Sequence, residues 1–320
     1  MVEKIKDNLY KLEIPLPFTP LKALNSYVIK GKERNMIVDT GFNRPECLDA
    51  MKKGLDELKI DLNKTDIFVT HMHADHSGLV SSLASAFSKV YCSSYDAGII
   101  NASLNKERWY EILQETVKYG FPAEEDITEY LPGKKYKTSH TIDFIPVREG
   151  DTLNIGEYFF VCIETPGHTP GHICLYESRE KILISGDHIL DKITPNISKW
   201  FNTFNPLEDY LQSLDKIAAL EVDLVLPGHR DVITDCRKRI DELKQHHDKR
   251  CWEVLRILKG KTMDAYTVAS KMKWDITLEW NDFPVPQKWF ALGEAVSHLK
   301  FLASRGLVEE FEGEKVFYSC

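Results

Sequence analysis

No stretch of this 320-residue chain reaches the roughly 18 consecutive apolar residues that a membrane span requires, so no membrane association is expected. The N-terminal residues MVEKIKDNLY lack the apolar core of a secretory leader, and the chain reads as cytoplasmic. Cysteine is sparse. The seven residues (47, 92, 162, 174, 236, 251 and 320) are odd in number and form no CxxC pair. That pattern argues for reduced thiols and against a disulfide framework or a zinc ribbon. Glycine (17) and proline (14) are too few for a low-complexity or collagen-like chain. Neither an internal repeat nor a Ser/Gly or Pro linker is present. Positive charge is also in deficit: 41 Lys and Arg against 49 Asp and Glu give a net charge of −8, a poor balance for a protein that coats nucleic acid.

What is present is ordinary for a globular chain: 43% apolar and 28% charged residues, and a length that suggests roughly two domains. Short apolar runs at 8–14, 26–30, 35–39, 66–70, 89–93, 152–165, 172–178, 181–187 and 222–229 read as strands. Residues 45–59, 77–87, 206–220 and 230–247 carry helical spacing. The proline-rich stretch 15–22 is not expected to join a regular ladder. This interleaving predicts an α/β domain over 1–245, with an aromatic-rich helical insert at about 95–140. Residues 246–320 form a second unit. Helices are expected at 248–260, at 264–272 with Thr262 as cap, and at 286–306, followed by a hairpin over 306–319. Three helices and then a hairpin is winged-helix order. His246 and His247 read as exposed helix-end residues.

The densest chemical signal is VTHMHADHSG (69–78), which places His71, His73, Asp75 and His76 just after an apolar strand. Imidazole and carboxylate suit zinc and similar divalent ions. Three further segments repeat the pattern of a ligand where a strand enters a loop: ETPGHTPGH (164–172) with His168, ISGDHIL (184–190) with Asp187, and LVLPGHR (224–230) with His229. Seven ligands fit two metals, each with three ligands of its own, that share one carboxylate and one hydroxide. Asp39, in DTG (39–41), is a candidate for orienting ligands. His172 and His188 are either further such groups or ordinary polar neighbours.

HMHADH, PGHTPGH, SGDH and PGH, in this order, resemble the motifs of the metallo-β-lactamase-fold hydrolase superfamily, and the match extends over 1–245. The resemblance implies an αβ/βα sandwich of two mixed sheets. It implies that His71, His73 and His168 hold one metal, that Asp75, His76 and His229 hold the other, and that Asp187 bridges them. The cofactors are then two divalent ions, zinc first, with iron or manganese as alternatives. A hydroxide between them is the nucleophile, and Asp75 orients it and takes its proton. Class B β-lactamases commonly carry Cys where Asp187 stands, so β-lactamase activity is not the expected role. The 41 residues between Asp187 and His229 leave no room for the inserted domain of cleavage-factor nucleases. The metal motifs are most similar to glyoxalase II. The whole-chain layout is closest to lactamase-β-like proteins with a C-terminal winged helix.

Around this site, the insert is read as a lid that supplies Trp109 and Tyr110 to a substrate pocket. Trp200, Phe201, Phe204 and Phe18 are further candidate walls. Residues 237–261 hold nine Lys and Arg against four acids, but the last helix carries only Lys288, Glu294, His298, Lys300 and Arg305. The hairpin is acidic, with Glu309, Glu310, Glu312 and Glu314. The unit is therefore expected to pack or to form a homodimer, with nucleic acid as the lesser alternative. The expected function is metal-dependent hydrolysis of a small thioester or ester. The alternatives are an RNA phosphodiesterase and a winged-helix regulator with a metal-sensing domain.

Overall fold

The computed structural model describes residues 1–123, 127–199 and 205–320. Trp200, Phe201 and Phe204 lie outside the described residues. The chain runs β1 (Val2–Lys6), β2 (Leu9–Leu16), β3 (Lys22–Ile29), β4 (Asn35–Val38), α1 (Pro45–Glu57), β5 (Thr65–Phe68), α2 (Ala74–Ser77), α3 (Val80–Leu83) and β6 (Val90–Ser93). The insert follows as α4 (Ser94–Ala102), α5 (Lys106–Lys118) and α6 (Pro132–Lys135). Strands then resume as β7 (Phe144–Val147), β8 (Thr152–Ile155), β9 (Tyr158–Glu164), β10 (Ile173–Glu177) and β11 (Ile182–Gly186), followed by α7 (Pro206–Ala218) and β12 (Leu224–Pro227). The C-terminal part holds α8 (Cys236–Leu258), β13 (Thr262–Asp264), α9 (Ala265–Ala269), α10 (Val285–Ser304), β14 (Glu309–Phe311) and β15 (Phe317–Ser319).

Three sheets result: β1 to β7 in sequence order, then β12-β11-β10-β9-β8, then β13-β15-β14. Strand alternation places the first two face to face. In β3 and β4, Tyr27, Ile29, Met36 and Val38 point to a shared inner core, as do Phe160, Cys162, Ile173, Leu175, Ile182 and Ile184 of the second sheet. The opposite side chains, Leu24, Val28 and Ile37, meet Cys47, Met51 and Leu55 of α1. On the far side of the second sheet, Cys174, Leu183 and Val225 meet Leu207, Tyr210 and Leu214 of α7. Helix, sheet, sheet and helix stack as an α/β sandwich.

Several expectations are corrected. Pro15 lies within β2 and pairs with Ala23. The N–H of Glu13 donates to Met1 O on the β1 side, and β1 reaches no farther, so the missing N–H of Pro15 faces an open edge at no cost. The helix predicted over 77–87 is only two single turns, α2 and α3. Asp264, not Thr262, caps α9, accepting from Thr267 N at 2.7 Å. The helices predicted at 230–247 and 248–260 are one continuous helix, α8, and the boundary expected between residues 245 and 246 lies inside it. His247 is buried, not exposed, with Nδ1 3.2 Å from Nε2 of His298.

The C-terminal part shares one apolar core with the second sheet. Val254, Leu258, Leu292, Val296 and Leu299 belong to the same cluster as Ile163, Leu183 and Tyr210. A chain ending at residue 245 would cut α8 and bare this surface, which costs several kcal/mol at about 25 cal/mol per Å². Thermal unfolding of that truncation should therefore fall by roughly 10 °C or more relative to the full chain, or lose its cooperativity. An unchanged melting curve would contradict the shared core.

Candidate metal centre

All the motif residues meet at one end of the sandwich, where β4, β5, β11 and β12 deliver their C-terminal ends. Within each sheet these strands pair in parallel, β4 with β5 and β11 with β12, so their outgoing loops lie side by side. Backbone bonds tie the two sheets together at this end: Ile173 N donates to Thr70 O at 3.0 Å, and Asn25 N to Gly228 O at 2.7 Å. His168 enters from the loop between β9 and β10.

Three groups of ligand atoms result: His71, His73 and His168; Asp75, His76 and His229; and Asp187 with His71 and His76. Nε2 of His71 and Nε2 of His168 each lie 3.0 Å from Nδ1 of His73. Nε2 of His229 is 3.4 Å from Asp75 Oδ2 and 3.5 Å from Asp187 Oδ2. Asp187 spans the groups, with Oδ1 3.4 Å from Nε2 of His76 and Oδ2 3.6 Å from Nε2 of His168. Ligands about 2 Å from a tetrahedral zinc stand roughly 3.3 Å apart, so these separations match the edges of coordination polyhedra. The donor chemistry fits as well. Among the described residues, Nε2 of His76, Nε2 of His229 and Oδ1 of Asp187 are buried at the cluster and have no hydrogen-bond partner. Gly228 keeps this space open, since a Cβ there would stand 2.5 Å from Asp187 Oδ1 and 2.8 Å from Cε1 of His76.

The outward nitrogens are held just as firmly. His76 Nδ1 donates to Asp39 Oδ2 at 2.7 Å. His71 Nδ1 is 3.0 Å from the Thr70 hydroxyl, which itself donates to Asp39 Oδ2. His168 Nδ1 donates to Asn196 O at 2.8 Å, and His229 Nδ1 to Ala23 O at 2.7 Å. In the unprotonated imidazole each bond fixes the tautomer whose Nε2 lone pair faces inward. Asp39 thus lies behind His76 and, through Thr70, behind His71. His172 also takes part, accepting from Asp187 N at 3.2 Å through Nε2 and meeting the Thr165 hydroxyl at 2.8 Å through Nδ1. His188 is buried beside His172 and Tyr210, with ring centroids 6.1 and 5.3 Å away, and is farther from the ligands.

Charge divides the imidazoles into two kinds. Burial and neighbouring imidazoles push His73 down to about 3 and His71 well below its usual value. Burial also lowers His168. Burial opposes the charge on His76 and His229, but the carboxylates around them win: His229 rises to about 10, and His76 rises well above its usual value. Burial works against the Asp75 carboxylate too, yet His76 and His229 bring it down to about 2.

The substrate-side residues are placed less decisively. The Trp109 indole donates to Ser103 O at 2.8 Å within the insert. Tyr110 is exposed. Phe18 is almost fully exposed, beneath the Arg44 guanidinium at 5.5 Å. Sequence reasoning missed Asp96. This fully buried carboxylate accepts from Met72 N at 2.9 Å, from the Thr169 hydroxyl at 2.6 Å and from Gly171 N at 2.9 Å, so it links the two loops that carry His71, His73 and His168. Burial pushes it up to about 6 against the pull of those donors. Its sequence signal, Ser93 followed three residues later by an acid, is that of a helix cap, and Ser93 Oγ does accept from Asp96 N.

The Metallo-beta-lactamase superfamily model matches residues 20–229. The chain belongs to the metallo-β-lactamase superfamily. Across its length it resembles the Bacillus subtilis protein named "Probable metallo-hydrolase YqjP", with 26% identity over 98% of both chains. It is 27% identical to the acyl-coenzyme A thioesterase MBLAC2 of Homo sapiens over 64% of this chain and 72% of that protein. A metallo-β-lactamase family protein of Thermus thermophilus superposes with a TM-score of 0.85 and 28% identity, covering 99% of each chain. The superfamily binds divalent metals, and the His and Asp groups here suit that role.

A cation binds unprotonated imidazole, so in this metallo-β-lactamase-fold centre metal uptake must displace the protons that the carboxylates hold on His76 and His229. Affinity should rise with pH between 6 and 8. Calorimetric titration of the apoprotein with zinc, in buffers of different ionisation enthalpy, should report release of about two protons. Uptake without proton release would contradict this charge assignment.

Proposed function

We propose that this chain is a cytoplasmic, zinc-dependent hydrolase of small thioesters, similar to glyoxalase II in its metal motifs. The observation that carries the reading is the pair of ligand groups meeting at Asp187, with the outward nitrogens of His71, His76, His168 and His229 held from behind. His71, His73 and His168 would hold one cation and Asp75, His76 and His229 the other, with Asp187 within reach of both groups. Bound divalent cations supply Lewis acidity, acidifying a water and polarising the acyl oxygen. The chain's own residues do the rest. Asp75, kept ionised, orients the attacking water and accepts its proton. The buried loops around His71 and His168 exclude bulk water and preserve the strength of these charges.

The thioester assignment is supported by the relative named as an acyl-coenzyme A thioesterase, and the acidic character of the chain weighs against RNA, the alternative substrate. The free cysteines, six of them buried, suit a reducing compartment. The C-terminal part is read as a winged helix used for packing or homodimer formation. Its hairpin glutamates oppose a phosphate backbone, and Lys300 is already paired with Glu310.

Purified, metal-quantified protein should hydrolyse acyl thioesters faster than lactones, phosphodiesters or RNA. Asp75→Asn that still holds its metals should lose roughly 10²- to 10⁴-fold in kcat. Cleavage of RNA with a steep salt dependence, with thioesters untouched, would overturn the assignment.

A further inference from the structure

We propose that α10 is a working part of the metal centre: through Gly293, Ser198 and Asn196 it positions His168. The inference rests on the metal-site reading above. His71, His76 and His229 lean on acceptors at the ends of the sheet strands: Thr70, Asp39 and Ala23. His168 instead leans on Asn196 O, in the segment that leaves β11 and, from residue 191 to 199, adopts neither helix nor strand. That carbonyl is only as well placed as the segment that carries it.

The C-terminal helices hold the segment at both ends. Arg239 of α8 donates to Leu190 O at 2.7 Å and to Ile193 O at 2.8 Å. At the far end, Asn196 Nδ2 donates to Phe290 O of α10 at 3.4 Å, and Asn196 Oδ1 accepts from the Ser198 hydroxyl. Ser198 and Ile197 are buried, and Ile197 belongs to the same apolar cluster as Leu292 and Val296. Ser198 sits directly on Gly293, where a Cβ would come within 2.8 Å of Ser198 Cβ and closer still to Oγ. A glycine in a helix interior is destabilising relative to alanine, so its presence here has a local reason. Only a bare α-carbon lets α10 approach closely enough to seat Ser198 and, through it, Asn196. Glu294, the next residue, is half-buried against Arg250 of α8, with Oε1 3.5 Å from Nε, so the helix has little room to yield.

Two full-length variants test the chain of contacts. Gly293→Ala introduces the colliding methyl, and Gly293→Ala with Ser198→Gly removes the side chain it strikes. A third, Asn196→Ala, cuts the tie to Phe290 O while leaving the backbone carbonyl in place. Cobalt affinity is measured by chelator competition, the cobalt absorption spectrum reports coordination, and melting of the apoprotein reports stability. Gly293→Ala and Asn196→Ala should each weaken cobalt binding about 10- to 100-fold and alter the spectrum, and the double variant should recover only the part due to the collision, because it also removes the Ser198 hydroxyl that Asn196 Oδ1 accepts. If Gly293→Ala does not fold, Asn196→Ala decides. Variants that lower the apoprotein melting temperature but keep wild-type affinity and spectrum would overturn the proposal. Wild-type protein that takes up no cobalt would overturn the metal-site reading and this inference together, and is distinguishable for that reason.

Discussion

The carboxylate of Asp39 is the interaction on which the site depends. It ends β4, accepts from the Thr70 backbone N–H at the end of β5, and carries the hydroxyl of Thr70 and the imidazole of His76. Through Thr70 it also sets His71. One buried group therefore fixes an imidazole in each of the two proposed ligand sets and stitches two parallel strands together where their loops diverge. Its backbone is in the left-handed region, φ 59°, a conformation that aspartate tolerates better than most residues and that turns the chain sharply out of the sheet. A buried anion is stable only when its lone pairs are satisfied, and here the donors that satisfy it are the residues that present the ligands.

The rest of the sandwich supplies what Asp39 cannot. The second sheet contributes Asp187 and His229 from adjacent parallel strands, and the apolar layer between the sheets fixes how far these lie from the first set. Asp96 braces the loops of His71 and His168 against each other. The concentration of like and unlike charges at this end is unfavourable in itself. The carboxylates around His76 and His229 favour protons there that a bound cation would displace, while burial disfavours charge on His71, His73 and His168. Stability is supplied elsewhere, by three apolar clusters, one of which runs without a break from the second sheet into the C-terminal helices.

Much of this was legible in the sequence, for identifiable reasons. The seven candidate ligands fall in four short motifs, each at the exit of an apolar run. What escaped depends on contacts distant in sequence. Asp96 looks like a helix cap because its cap signal is local, whereas its bonds to Met72, Thr169 and Gly171 are not. The polar run His246-His247-Asp248 resembles a break, but His247 is buried against His298, so α8 continues through it. Pro15 enters a strand because the neighbouring strand ends short. Asn196 holds His168 with a backbone carbonyl, a group that no residue type announces.

The central claim is that this end of the sandwich is built for two cations that share Asp187. The most direct test is the metal content of the full-length protein, saturated with zinc, freed of excess and measured by elemental analysis against protein concentration. The account predicts a plateau close to two ions per chain. A plateau at one ion per chain under the same metal-replete conditions would contradict it.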